Sequence, residues 1–126
     1  MKELFIIAKT LTLKIINEFK ELSIEKVEIT YSSLSLTFLK SDTKLIFTLS
    51  THHLDVPWQI VTNIKKNNVD IGSIEKIIDN QYNYETNPRY EITPLFLSDV
   101  ENTVGSLVEL LIKDLTIVLP KIDELA

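Results

Sequence analysis

Three groupings along the chain carry side chains that could do chemistry, and each asks for a different kind. Thr51-His52-His53-Leu54-Asp55 brings two imidazoles and a carboxylate together, the donor types of a zinc site. Adjacent side chains on an extended chain diverge, and no third ligand stands at a metal-binding spacing, so the stretch reads as a polar loop and no metal is expected. Glu25 and Glu28 form a carboxylate pair at the start of a strand pattern, beside Lys26. General acid–base work needs two such groups to converge with pKa values pushed apart, whereas these should face water next to a lysine. No catalytic role follows.

The third grouping is Asn80-Gln-Tyr82-Asn-Tyr84-Glu-Thr-Asn-Pro88-Arg89-Tyr90-Glu91. It holds three of the four tyrosines and the single arginine in an amide-rich setting. Tyrosine and arginine anchor interfaces because they present a large area with a polar tip. Tyr82, Tyr84, Arg89 and Tyr90 are therefore the candidate partner-binding residues, set against the plainer reading of a surface loop. Trp58, the one tryptophan, joins them as a weaker candidate, since buried aromatics are more often core anchors.

What the chain lacks narrows the function further. Gly72 and Gly105 are its only glycines, too few for a backbone cradle around phosphate, and there is no G-x-S-x-G or H-E-x-x-H motif. Cysteine is absent, which removes disulfides, thiolate ligands and a thiol nucleophile and suits a reducing, cytoplasmic setting. The expectation is a protein without cofactor that is not an enzyme. A net charge of −5 argues against nucleic-acid binding, which needs a clustered basic footprint, and favours encounter with a basic protein partner. Twelve lysines against one arginine, with abundant isoleucine and asparagine, read as the codon bias of an AT-rich microbial or phage genome. The apolar run Leu4-Phe-Ile-Ile-Ala8 is too short for a signal-peptide core, and no stretch is long enough to span a bilayer. The chain is expected to be soluble.

These groupings need a frame. Leu4, Ala8, Leu11, Ile15, Phe19 and Leu22 recur at helical spacing and predict a helix over residues 2–22, broadened by Ile7, Leu13 and Ile16. Residues 24–50 alternate with a period of two. Val27, Ile29 and Tyr31, then Leu34, Leu36 and Phe38, then Leu45, Phe47 and Leu49 define three strands of an antiparallel meander, broken at Ser32-Ser33 and Ser41-Asp42-Thr43. The opposite face carries Glu28, Thr30, Ser35, Thr37, Thr48 and Ser50, with Leu39 and Ile46 as apolar exceptions, and is a reserve binding surface.

Residues 56–68 predict a short helix: Asp55 caps, Pro57 opens, Trp58, Val61 and Ile64 share a side, and Asn67 or Asn68 takes the left-handed end. A fourth strand at 56–61 is the rival. Ser73 caps a further short helix over 74–81, and residues 90–97 read as an edge strand because of Pro94. Ser98-Asp-Val-Glu101 is a capping box opening a last helix through Val104, Leu107, Leu111, Leu115 and Val118. Pro120 should end it, leaving 121–126 as a loose tail, and Gly105 could admit a close helix contact.

The order defines a single α+β domain over residues 1–126: an antiparallel sheet, a three-stranded meander plus one later strand, with the N- and C-terminal helices packed mainly on one face. In element order alone it resembles the small α+β domains of secretion-chaperone type, and no site residue is carried over from that resemblance. The functional expectation is a small acidic protein-interaction module, an immunity, inhibitor or chaperone-like protein that binds one protein partner. Two alternatives stand beside it: a ligand-binding or enzymatic domain with a pocket between sheet and helices, and a structural homo-oligomer, with a homodimer pairing through the end helices.

Overall fold

In the computed structural model, residues 2–50, 58–74, 77, 91–92 and 100–122 are described. Helix α1 (Lys2–Glu18) buries Leu4, Ile7, Ala8, Leu11 and Ile15, the face that the spacing predicts. It closes on a Phe19 N–H bond to the Ile15 carbonyl (2.9 Å), and Leu22 then turns into the core as the chain enters the sheet.

Strands β1 (Ser23–Ile29), β2 (Ser33–Lys40), β3 (Thr43–Ser50), β4 (Trp58–Lys66) and β5 (Val69–Ser73) form an antiparallel meander in chain order. Strand β6 (Glu91–Ile92) pairs with the start of β4, Trp58 opposite Ile92 and Gln59 opposite Glu91. The meander thus has five strands where the alternation predicts three. Leu34, Leu36, Phe38, Leu45, Phe47 and Leu49 are all buried, as that alternation requires. A bulge between Ile24 and Lys26 shifts the β1 register, so Ile24 lies opposite Phe38 while Val27 lies opposite Leu36. The extra residue brings Ile24, Val27 and Ile29 onto one face despite their mixed parity.

The helix expected over 56–68 does not form among the described residues: 58–66 are strand, which favours the rival reading and extends it past residue 61, and 67–68 are a turn. In β4, Ile60, Thr62 and Ile64 are buried and alternate with half-buried or exposed Val61, Asn63 and Lys65. Val61 and Ile64, a helical pair by spacing, therefore stand on opposite faces. β-branched residues and a partner strand on each side outweigh the local capping signals. Asn67 and Asn68 do adopt left-handed backbone (φ 53° and 63°), yet they serve a two-residue hairpin with Lys66 opposite Val69. Two consecutive positive φ angles define a type I′ turn, whose twist matches that of the flanking strands. The same preference that can end a helix here joins two strands. Pro57 and the other residues of 51–57 lie outside the described residues, as do most of 74–81 and 93–99; Ile74 is buried in the core and Ile77 packs against it.

Helix α2 (Val100–Ile122) buries Val104, Leu107, Leu111, Leu115, Val118 and Leu119. It passes through Pro120 instead of stopping there. Ile122 is buried, and its carbonyl accepts from Lys66 Nζ at 3.1 Å, so Lys121 and Ile122 belong to a helix end tied to β4, while 123–126 of the expected tail lie outside the described residues. Pro120 falls in the last turn, so any bend its ring imposes displaces only Lys121 and Ile122. Gly105 does not mark a close contact: a Cβ there would meet nothing within 4 Å.

Both helices contribute to a single buried cluster with the inner face of the sheet. They run in the same direction, because Ile6 and Lys14 face Glu101 and Val108, and Phe19 faces Leu119 and Pro120. The α+β class and the placement of both terminal helices over one sheet face agree with the sequence reading.

Candidate functional site

With both helices on one face, the other face of the meander has no helix over it among the described residues. The strand registers arrange its side chains in rows. Lys26, Thr37, Ile46, Asn63 and Ser73 form one; Glu28, Ser35, Thr48 and Val61 form the next. A third crosses Leu39, Lys44, Lys65 and Asp70. Leu39, Ile46 and Val61 occupy diagonal neighbouring positions on β2, β3 and β4, so three apolar side chains form a stripe across the middle of the face. All three are half-buried, and half-buried Ser35, Thr37, Thr48 and Asn63 border them.

Four of the charged groups on and beside this face form two ion pairs. Lys44 Nζ meets Glu25 Oε1 at 3.0 Å, and Lys26 Nζ meets Glu28 Oε1 at 3.0 Å. Glu25 and Glu28 are thus held by different lysines and do not converge as an acid–base pair. What remains is a flat apolar stripe with a rim of hydroxyls and balanced charges, an arrangement that can receive a protein surface: an apolar centre to desolvate and polar groups around it.

Tyr82, Tyr84, Arg89 and Tyr90 lie outside the described residues, but the chain on either side of them is placed: Ile77 packs on the core, and Glu91 pairs with Gln59 on β4. Trp58 opens β4, in a strand and not in the expected helix. His52 and His53 are also outside the described residues, and among the described residues no cluster of three metal-ligating side chains occurs.

A second surface was not legible from residue types. Along the outer side of α1, Phe5 is 61% exposed and Leu13 60%; below them Val27 on β1 is 47% exposed. With Ile24 and Ile29 these residues line a groove of about 340 Å³ between α1 and the edge of the sheet. The Thr12 hydroxyl in the same groove is removed from water and has no partner among the described residues. Periodicity marks Leu13 as part of a broad apolar face, but only the placement of α1 over β1 and β2 shows that nothing in the described fold covers it. A larger groove, about 630 Å³, runs between α1 and α2 past Thr10, Lys14, Glu101 and Gly105. It opens between the helices and not between helices and sheet, where a ligand pocket was expected.

No family model matches the chain, and comparison with curated proteins and with solved structures gives no match either. Among the described residues no helix is long and apolar enough to cross a membrane.

Proposed function

We propose that the chain is a small acidic protein-interaction module that binds one protein partner, in the manner of an immunity, inhibitor or chaperone-like protein of the cytoplasm. The observation that supports this reading most is the sheet face that no helix covers among the described residues, with Leu39, Ile46 and Val61 in a diagonal stripe. A hydroxyl-rimmed apolar centre on a rigid sheet is the anatomy of a specific interface, in which a few central residues carry most of the binding energy. By residue type Tyr82, Tyr84, Arg89 and Tyr90, which lead into β6, remain the further candidates for partner contact. A net charge of −5 steers encounter toward a basic partner.

Capture from the native host tests this. Immobilised wild-type protein should retain one protein that Ile46→Lys loses, with the variant's melting temperature near that of wild type. Tyr84→Ala combined with Arg89→Ala should weaken the same capture without lowering the melting temperature. A partner retained equally by Ile46→Lys would remove the open face from the interface.

The groove between α1 and α2 supports a second reading. At about 630 Å³ it is of ligand-binding size, and Lys14 and Glu101 add charged groups to an otherwise largely apolar wall. A small ligand there would raise the melting temperature, and Gly105→Leu, which projects a side chain into the groove, would cancel that rise. An unchanged melting temperature across a panel of amphipathic carboxylates and amines would dismiss it.

A further inference from the structure

The outer edge of the sheet carries a pattern that fits a second copy of the same chain. The Thr30 N–H donates to the Ser33 carbonyl at 2.8 Å, which makes Thr30 and Ser33 a hydrogen-bonded pair at the β1–β2 turn. In antiparallel strands such pairs alternate. Counting back along the register, Glu28 and Lys26 turn their backbone groups toward β2, and Val27 and Ile29 turn theirs out from the sheet. Val27 is therefore the centre of an edge that no other strand pairs among the described residues, with its N–H and C=O directed away from β2.

We propose that two copies associate through antiparallel pairing of their β1 strands about a two-fold axis at Val27, joining two meanders into one continuous sheet. Pairing in that register sets Val27 opposite its own copy as a hydrogen-bonded pair and Lys26 opposite Glu28 on both sides of the axis. The alternation of sign is what makes the edge self-complementary. A run of like charges would repel a second β1, as edge strands commonly do, and a parallel in-register pairing would put Lys26 beside Lys26. Only the antiparallel arrangement turns both positions into attractive cross-strand pairs. Lys26 and Glu28 are exposed and contact each other at 3.0 Å in the single chain, so both side chains can exchange that contact for one across the axis.

The inner face supports the same axis. Phe5, Leu13 and Val27, exposed in the single chain, stand along the side that a second α1 and β1 would cover. A two-fold axis at Val27 brings the two grooves together, an isologous interface in which each apolar patch covers its own copy. Lys9, the charged member of the groove lining, has a flexible stem that can lie on apolar surface with its ammonium in water. The opposite edge of the sheet lacks this character. Strand β5 has five residues against seven in β1, and Gly72 at φ 115°, whose N–H is taken by Asp70 Oδ1 at 2.9 Å. That edge is broken, and β1 offers the longer run. The inference concerns a different surface from the open sheet face and does not depend on the partner reading.

Sedimentation of the full chain across the micromolar range tests it, with charge reversal as the probe. Wild type should run at twice 14.5 kDa at the upper end of the range. Lys26→Glu alone and Glu28→Lys alone each create two like-charge pairs across the axis and should weaken the dimer about ten-fold or more. Lys26→Glu combined with Glu28→Lys should restore it. Val27→Pro removes the outward N–H without touching the β2 ladder and should give a folded monomer. A wild type that stays monomeric throughout overturns the proposal, and so does a dimer indifferent to the single reversals or not restored by the double one.

Discussion

Val27 and Leu36 are direct partners across the β1–β2 ladder, yet Leu36 is fully buried and Val27 is 47% exposed. The two share a face and a row. They differ in their surroundings: Leu36 has a strand on either side, whereas Val27 has β2 on one side and, among the described residues, no strand on the other. Burial of a core-facing residue in a sheet depends on its strand having neighbours.

That asymmetry predicts unequal costs of truncation. Leu36→Ala should destabilise the fold by about 2–5 kcal/mol at any protein concentration, because it opens a cavity in the core. Val27→Ala should cost under about 1 kcal/mol at dilutions where the chain is monomeric. Its cost should grow as concentration rises into the range where two copies associate. Denaturant titration at two concentrations distinguishes these.

The β4–β5 turn gives a sharper test of the corrected strand. Asn67 and Asn68 both hold positive φ, a conformation that costs an ordinary L-residue about 1–2 kcal/mol. Asn68→Ala should therefore lower stability by about 1 kcal/mol, and Asn68→Gly should match or exceed wild type. Equal stability of the two variants would argue against the hairpin.

Gly105 yields the opposite expectation. It lies inside α2 without a positive φ, and a Cβ there meets nothing within 4 Å. Gly105→Ala should raise stability by about 0.5–1 kcal/mol through helix propensity alone. Destabilisation would mean that the backbone there is in closer contact than the structure describes.

Much of this fold was readable from residue order. Leu34, Leu36 and Phe38, then Leu45, Phe47 and Leu49, recur with a period of two and are buried between neighbouring strands and beneath the helices, so period and burial coincide. Leu4 to Ile15 and Val104 to Val118 do the same with a helical period. The misreading at 58–66 has a definite cause. Asp55, Pro57 and the Asn67-Asn68 pair are helix punctuation in isolation, and the competing signal, pairing with β3, is non-local. The end of α2 was missed similarly: Pro120 locally disfavours helix, but burial of Ile122 and the Lys66 contact hold the last turn.

Less of the candidate site could be read. Leu39 and Ile46 stood out as apolar residues on a polar face, but their diagonal with Val61 exists only once β4 is a strand in register with β3. The β1 bulge is likewise invisible in the alternation, and so is the edge position that leaves Val27 exposed on the core-facing side. Tyr82, Tyr84, Arg89 and Tyr90 were chosen by residue type, and what the fold adds is the placement of the chain on both sides of them.

The central claim is that the open sheet face receives a protein partner. Calorimetric titration of the captured partner with wild type, Ile46→Lys and Lys26→Glu tests it most directly. Substituting a central apolar residue of an interface by a charge should raise Kd by at least about ten-fold, and Ile46→Lys should do so while Lys26→Glu, a charge at the far edge, changes it far less. An unchanged Kd for Ile46→Lys, in a variant that melts like wild type, would contradict the account.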